Sequence, residues 1–247
     1  MGLAVGSFLN VVIYRVPRQQ SIVRPRSACT TCETPILERD NVPVLSWIVL
    51  RGRCRQCHNP ISIRYPLVEL ACGGLWAGVA GRVGFDWELP ALLAFTAGLL
   101  ALACVDLERL TLPKRIVYST LFLVSALLLL AASVTGQWHR LLVAVLCALG
   151  WFIIFYAINA TMPRALGFGD VRLSLLLGLG LGYLGVRYAI LGFFVANLIG
   201  ATLGVVLIAM KRLTRDQPVP YGVFLALGAM VAIFAGPELL APFHGLG

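Results

Sequence analysis

The stretch IVYSTLFLVSALLLLAASVT, residues 116–135, has twenty consecutive residues without a charged side chain. An α-helix needs about 20 apolar residues to cross the hydrocarbon core of a bilayer. The rest of the 247-residue chain has the same character, with a mean hydropathy of +0.87 and 13% charged residues. Soluble domains have about 25% charged residues. The sequence therefore predicts a helical membrane protein.

Further apolar runs lie on both sides of this stretch. They predict membrane segments at about 66–84, 88–106, 140–160, 171–185, 187–210 and 220–241. Residues 1–15 predict one more segment, which is short, and we expect either a start further upstream or a stub helix. Runs of this length without alternation argue against a transmembrane β-barrel. We predict an all-α polytopic protein with about eight transmembrane helices.

Basic residues are distributed unevenly between the two sides of these segments. Sixteen lie in the section 16–65 and in every second loop after it, and three lie on the opposite side, at Arg82, Arg140 and Arg187. Cytoplasmic loops carry the excess of Lys and Arg, so we expect 16–65 to be cytoplasmic. The predicted domains are a first membrane segment (1–15), a cytoplasmic domain (16–65) and a membrane core (66–247). Because the net charge of +9 is spread over several loops, we expect no nucleic-acid partner.

Two Cys-x-x-Cys pairs, separated by 21 residues, stand in the cytoplasmic section: Cys29 with Cys32, and Cys54 with Cys57. Two such pairs supply the four thiolates of a closed tetrahedral zinc site. A reducing cytosol disfavours a structural disulfide. We predict a structural, zinc-ribbon-like insert between the first two membrane helices. A redox-active pair, untethered thiols, or His58 as a substitute ligand are the alternatives.

Two aspartates stand at the ends of apolar segments, on the side predicted to be cytoplasmic. Asp106 ends one segment, and Asp170 opens another, directly after Gly167-Phe-Gly. Two carboxylates that meet across helices can share a proton and direct water at a peptide bond. The alternative is a pair of solvated aspartates that cap helices. Glu108 is close enough in sequence to compete for the role of Asp106.

The position of each aspartate on its helix predicts different protonation. Gly167 and Gly169 are expected to take positive φ and to allow close approach of neighbouring backbone. Asp170 then begins a helix, where the dipole favours a carboxylate, whereas Asp106 lies near a helix C-terminus, where the dipole and desolvation disfavour one. We therefore expect Asp170 to be ionised and Asp106 protonated in the resting protein.

Two rival functions follow from the same residues. Intramembrane carboxylates also serve as relays in proton-coupled transporters and ion channels. The cysteine quartet could instead form a membrane redox or zinc-sensing module. The transporter predicts inverted repeats and midplane polar residues, and we find neither in the sequence. The sensing module predicts that function survives loss of Asp170 but not of Cys54.

Seven stretches, in order along nearly the whole chain, form one pattern. They are GSFLNVVIYRVP (6–17), the paired cysteines, LSW with LRGRC (45–54), SIRYPLVEL (62–70), Asp106 with Leu112-Pro113, GFGD (167–170) and PYGVFLA (220–226). Together they resemble the type IV prepilin peptidases, membrane aspartic proteases of the Gly-x-Gly-Asp type. The departures are Glu108, Lys114, Arg172 and Val223, where other residues are common in that family, and none removes a catalytic carboxylate.

This resemblance implies a function and its partners. Asp106 and Asp170 would be the catalytic pair of an endopeptidase that removes the basic leader from type IV prepilins or pseudopilins of pilus and type II secretion systems. The enzyme would sit in the bacterial inner membrane with its active site at the cytoplasmic face. Family members often also methylate the new N-terminal residue with S-adenosylmethionine, and a peptidase without this activity is the alternative. Trp47 and residues 51–53 are candidate contacts for the methyl donor; an interfacial tryptophan and surface arginines are the plainer interpretation.

Overall fold

A computed structural model of the protein describes residues 1–162, 166–210 and 219–241. Within these ranges the chain forms nine α-helices: α1 Gly2–Arg15, α2 Leu45–Val49, α3 Arg64–Val83, α4 Leu89–Arg109, α5 Lys114–Thr135, α6 Trp138–Thr161, α7 Phe168–Leu184, α8 Val186–Ala209 and α9 Tyr221–Leu240. Four residues counted in the charge bias lie outside the described residues: Arg164, Lys211, Arg212 and Arg215.

Every predicted membrane segment coincides with one of these helices, but the count of eight transmembrane helices is not confirmed. Five helices, α4, α5, α6, α8 and α9, are long and apolar enough to cross a membrane. The other three are α1, with 14 residues, α3, which carries charged side chains, and α7, with 17 residues. The all-helical membrane class is confirmed, and the chain is a multi-pass membrane protein.

The chain divides into two compact units, residues 1–78 and 79–247. In the first unit, α1 lies close against α3. A Cβ atom on Gly6 would stand 2.6 Å from the Cα atom of Glu69, so only glycine permits this approach. The buried Asn10 side chain donates a 3.0 Å hydrogen bond to the carbonyl of Tyr65 at the start of α3. The two helices are therefore fixed at the ends from which the section 16–63 emerges.

In the second unit, α4 and α7 form the interior, and α6 and α8 lie outermost. Nearly the whole circumference of α7 is buried, as expected for a helix that is apolar on all sides. By contrast, α6 and α8 keep most of their apolar surface exposed, where lipid would cover it. The core is therefore built around the two helices that carry Asp106 and Asp170.

Small residues permit the closest helix contacts in this unit. A Cβ on Gly178 of α7 would stand 2.6 Å from the Cα of Ala148 in α6. Gly228 of α9 faces the backbone carbonyl of Gly192 in α8, with no room for a methyl group. Such seams are typical of membrane helices, because close backbone approach provides van der Waals contact. Gly178 therefore serves close packing of α7 against α6.

Candidate functional site

Asp170 lies in the first turn of α7, directly after the Gly167-Phe-Gly turn. Gly167 is the N-cap residue, with φ −70° and ψ 147°, and the backbone N–H groups of Gly167 and Asp170 interact with the Asp170 carboxylate. An acidic side chain that reaches back to the N-cap in this way satisfies donors that the helix leaves open. The expected positive φ at Gly167 is wrong. Space explains this glycine better, because a Cβ there would lie 3.2 Å from Oδ2 of Asp170.

Asp106 lies one turn before the end of α4 and is 5% exposed. The helix ends at Arg109, and the N–H of Leu110 returns to the Asp106 carbonyl at 2.8 Å. The Asp106 carboxylate faces the first turn of α9, where the backbone N–H groups of Gly222 and Val223 interact with it. Its Oδ2 atom is buried and has no hydrogen-bond partner among the described residues. The prediction from the dipole of α4 alone was therefore incomplete, since the N-terminus of α9 favours a charge on Asp106.

Leu112 packs between the turn of α7 that carries Asp170 and the first turn of α9, which faces Asp106. Its side chain fills the space beside two glycines: a Cβ on Gly169 would meet Leu112 Cβ at 3.0 Å, and one on Gly222 would meet Leu112 Cδ2 at 3.0 Å. The same Cβ on Gly222 would stand 2.9 Å from Oδ2 of Asp106. Close approach thus explains both glycines, and the expected positive φ at Gly169 is not observed.

The two carboxylates lie within electrostatic range of each other, and both are buried. Two carboxylates this near to each other, in a site with little water, are unfavourable when both are ionised. The pair is therefore suited to hold one shared proton. The structure thus brings together the two aspartates that the sequence placed at helix ends. Glu108, the possible competitor, is exposed on another face of α4.

Tyr221 is a polar neighbour of this pair that sequence reasoning did not single out. Its hydroxyl donates a 3.0 Å hydrogen bond to Oδ1 of Asn197 in α8, and the ring lies within electrostatic range of Asp170. Asn197 donates in turn to the carbonyl of Phe193 at 2.7 Å. Tyr221 is part of the PYG stretch noted in the sequence, but nothing in the sequence indicates that it contacts Asn197, 24 positions earlier.

The four cysteines form two copies of one local turn, offset by 25 residues. In the first copy the Cys29 N–H bonds to Thr34 O at 3.0 Å, and in the second the Cys54 N–H bonds to Asn59 O at 2.9 Å. Each copy closes with an isolated antiparallel bridge, Ala28 to Pro35 and Arg53 to Pro60. Glu33 and His58 occupy the equivalent left-handed position, with φ 56° and 57°. We call these two turns knuckle 1 (28–35) and knuckle 2 (53–60).

The knuckles place four sulfur atoms within 4.8 Å of one another. Cys29 Sγ lies 3.7 Å from Cys57 Sγ, and Cys32 Sγ lies 4.0 Å from Cys54 Sγ. Tetrahedral zinc with Zn–S bonds of about 2.3 Å sets its sulfurs about 3.8 Å apart. The four residues therefore fit a metal ion, as predicted from their spacing. His58 is not part of this cluster.

The thiols differ in acidity because their hydrogen-bond donors differ. Hydrogen bonds with the Thr34 side chain and backbone lower the pKa of Cys32 to about 6. Hydrogen bonds from the backbone of Cys57 and Gln56 lower the pKa of Cys54. At Cys57 a backbone hydrogen bond with Asn59 acts downward, but burial and the neighbouring sulfurs outweigh it and raise the pKa to about 12. Two of the thiols are thus readily ionised, which favours metal binding.

Comparisons with known proteins agree with this arrangement. Residues 1–83 match the bacterial peptidase A24 N-terminal domain, and residues 93–209 match the type IV leader peptidase family. The chain belongs to the type IV leader peptidase family. A prepilin leader peptidase/N-methyltransferase of Stutzerimonas stutzeri is 34% identical over 98% of this chain and 91% of its own length. Proteins with that name from Aeromonas hydrophila and Pseudomonas aeruginosa are 33% and 32% identical, over 96% and 97% of this chain and 89% of each relative. No solved structure matches the chain.

Trp47 and Glu69 have structural roles in the first unit. Trp47, a candidate contact for the methyl donor, donates its indole N–H to Ile61 O at 3.0 Å. The ring also covers Gly52, where a Cβ would lie 2.9 Å from it. Glu69 accepts a 2.8 Å hydrogen bond from the backbone N–H of Val44, which has a φ of 62°. Trp47 and Glu69 thus hold the backbone of the section 16–63.

Proposed function

We propose that this chain is an aspartic endopeptidase of the bacterial inner membrane. It removes the basic leader of type IV prepilins and pseudopilins at the cytoplasmic face and then methylates the new N-terminal amine. The observation that carries the proposal is the approach of Asp106 and Asp170, 64 residues apart in sequence, to within electrostatic range at buried positions. The names of the relatives support the two activities and the substrate class.

The proposed chemistry uses the carboxylate pair and one water molecule. Asp170 accepts a proton from the water, which attacks the scissile carbonyl, while Asp106 polarises that carbonyl and then donates a proton to the leaving amine. We assign the acid role to Asp106 because its buried Oδ2 lacks a hydrogen-bond partner in the described part of the chain. The backbone N–H groups of Gly167 and Asp170 hold the other carboxylate in place. The two groups titrate as one unit.

Residues 16–65 are proposed to form a zinc domain that stabilises the fold and takes no part in peptide cleavage. Cys29, Cys32, Cys54 and Cys57 would hold the metal, and a site with four thiolates has no open position for substrate. The section is short and has few buried apolar side chains, so a metal would supply much of its stability.

S-adenosylmethionine supplies the methyl group when bound.

The basic loops support the proposed orientation. Sixteen basic residues on one side against three on the other assign that side to the cytoplasm. Asp106 and Asp170 stand at the helix ends that join these basic loops. A substrate whose charged leader stays in the cytosol, and whose apolar helix lies in the bilayer, would then present its junction at the height of the pair.

Cleavage of a purified prepilin in detergent tests the proposal. Asp106→Asn and Asp170→Asn are expected to abolish cleavage, because each removes one partner of the proton transfer. Glu108→Gln is the matched control, since this neighbouring carboxyl is exposed, and it should cleave at the wild-type rate. Mass spectrometry of the product with added S-adenosylmethionine should show one methyl group in place of a hydrogen.

Each outcome has a definite meaning. Cleavage that persists in either aspartate variant would reject the catalytic pair and favour a relay or sensing function. Cleavage without a mass increase would leave the peptidase and reject the methyltransferase. An equal loss in Glu108→Gln would point to Glu108 as a member of the pair.

A further inference from the structure

A cavity of about 510 Å³ lies within the first unit, between α1 and the section that follows it. One wall is a single face of α1, formed by Ala4, Ser7, Val11 and Arg15, which recur at helical spacing. The opposite wall comes from two segments, 22–27 and 36–43, that flank knuckle 1. The volume falls within the range of about 300–1,000 Å³ that is typical of pockets for small organic ligands.

Arg15 holds the loop wall in place. Its guanidinium donates hydrogen bonds to the carbonyls of Ser21 at 3.0 Å and Arg26 at 3.4 Å. The backbone of the segment 21–26 is thereby tied to the last turn of α1. Arg15 is therefore a positioning residue for this wall. These hydrogen bonds fix the segment 21–26 against α1.

The side chains around the cavity combine both charges with apolar surface. Arg26 and Glu38 line it, and in the described part of the chain neither has an ion pair. Phe8, Ile22 and Ile36 also line it, and these apolar side chains are 50%, 40% and 40% exposed. A ligand that satisfies this lining has a carboxylate for an arginine, hydroxyl or cationic groups for a glutamate, and a flat apolar ring system.

We propose that this cavity binds the methyl donor S-adenosylmethionine, an inference that rests on the proposed N-methyltransferase activity. The amino-acid carboxylate would pair with Arg26, the ribose hydroxyls would donate to Glu38, and the adenine ring would cover Phe8, Ile22 and Ile36. Charged hydrogen bonds of this kind are the stronger ones in proteins. Trp47 and residues 51–53 do not line the cavity.

The cavity extends to the C-terminal end of α1. It runs along α1 from Ala4 to Arg15, which is a rise of about 16 Å ending at the basic, cytoplasmic end of the helix. In the transfer an N–C bond forms at the amine and an S–C bond breaks at the donor. S-adenosylhomocysteine leaves, and the amine loses one proton to solvent.

Binding of S-adenosylhomocysteine to the full-length protein in detergent, measured by titration calorimetry, tests the site without methyl transfer. Arg26→Gln and Glu38→Gln are each expected to weaken binding about tenfold or more, because each removes a charged hydrogen bond. The matched controls are Arg24→Gln in the segment 22–27 and Glu33→Gln in knuckle 1, exposed residues that do not line the cavity. They should stay within about twofold of wild type, as surface charges usually do.

A variant that fills the cavity, Val11→Trp, should also abolish binding, without changing any charge. Prepilin cleavage is measured on every variant, and cleavage near the wild-type rate shows that a loss of binding is local. Wild-type affinity in both Arg26→Gln and Val11→Trp would overturn the site. A wild-type protein that cleaves but binds no S-adenosylhomocysteine would refute the methyltransferase function itself. A protein that binds but does not cleave would refute only the peptidase.

Discussion

Gly222→Ala is expected to slow cleavage while leaving the fold largely intact. An added methyl group would stand 2.9 Å from Oδ2 of Asp106 and 3.0 Å from Cδ2 of Leu112. Ordinary contacts begin near 3.4 Å, so the carboxylate oxygen must retreat by about 0.5 Å. Both crowded atoms are the ends of side chains that can rotate. The backbone of α9 can therefore stay in place while Oδ2 of Asp106 moves.

The size of the effect follows from this displacement. A misplacement of about 1 Å at a reacting group can cost about 100-fold in rate, so a shift of half that size predicts about a tenfold fall in kcat, or roughly 1.4 kcal/mol in the barrier. Crowding costs about 1–3 kcal/mol of folding stability, and the Gly-to-Ala gain in helix propensity offsets about 1 kcal/mol of it. We therefore expect a Tm within a few degrees of wild type.

The assay is single-turnover cleavage of a prepilin in detergent, with Tm measured on the same preparation. Gly204→Ala in α8 is the matched control, because a Cβ there meets nothing within 4 Å. It should leave cleavage unchanged and should not lower Tm, because it gains the same helix propensity without crowding. Full cleavage activity in Gly222→Ala would refute the argument, since the oxygen would then tolerate displacement. A fall in Tm of more than a few degrees would also refute it, because the loss of cleavage would then reflect lost stability.

Three further outcomes are expected. Cys54→Ser should lose bound zinc in elemental analysis and retain partial cleavage, whereas Cys147→Ser, outside the cluster, should keep its metal. Zinc affinity should fall as the pH falls, because protons compete with the metal for the four thiolates; an affinity that does not depend on pH would contradict this. Gly228→Ala should lower Tm by several degrees or prevent folding, since its methyl group would meet the backbone carbonyl of Gly192, and wild-type thermal stability would show that the α8–α9 seam is not tight.

The membrane segments and the cysteine quartet were predictable from sequence because each depends on a local rule. Lipid requires long apolar helices, and two Cys-x-x-Cys turns at suitable spacing can complete a metal site. Local rules do not predict the position of Leu112. This residue fits beside Gly169 and Gly222, far from both in sequence, and no periodicity identifies such a contact.

The glycines of the GFGD stretch show a second limit of sequence reasoning. Glycine is used both for positive φ and for close approach, and the sequence does not distinguish the two uses. Gly167 has a φ of −70°, so the turn is made by ordinary backbone, and the absent side chain leaves room for the carboxylate. The sequence also did not reveal that the N-terminus of α9 faces Asp106. A dipole argument from α4 alone could not include the first turn of α9 at Gly222.

The two knuckles also act as a constraint on chain entropy. A metal held by both of them closes the 21 residues between Cys32 and Cys54 into a loop, which removes many conformations that the free section would sample. Knuckle 1 lies between the two segments, 22–27 and 36–43, that wall the cavity along α1. The shape of that wall then depends on the metal, while the aspartate pair depends on packing among α4, α7 and α9. On the two proposals made above, loss of the metal is expected to impair methylation more than cleavage.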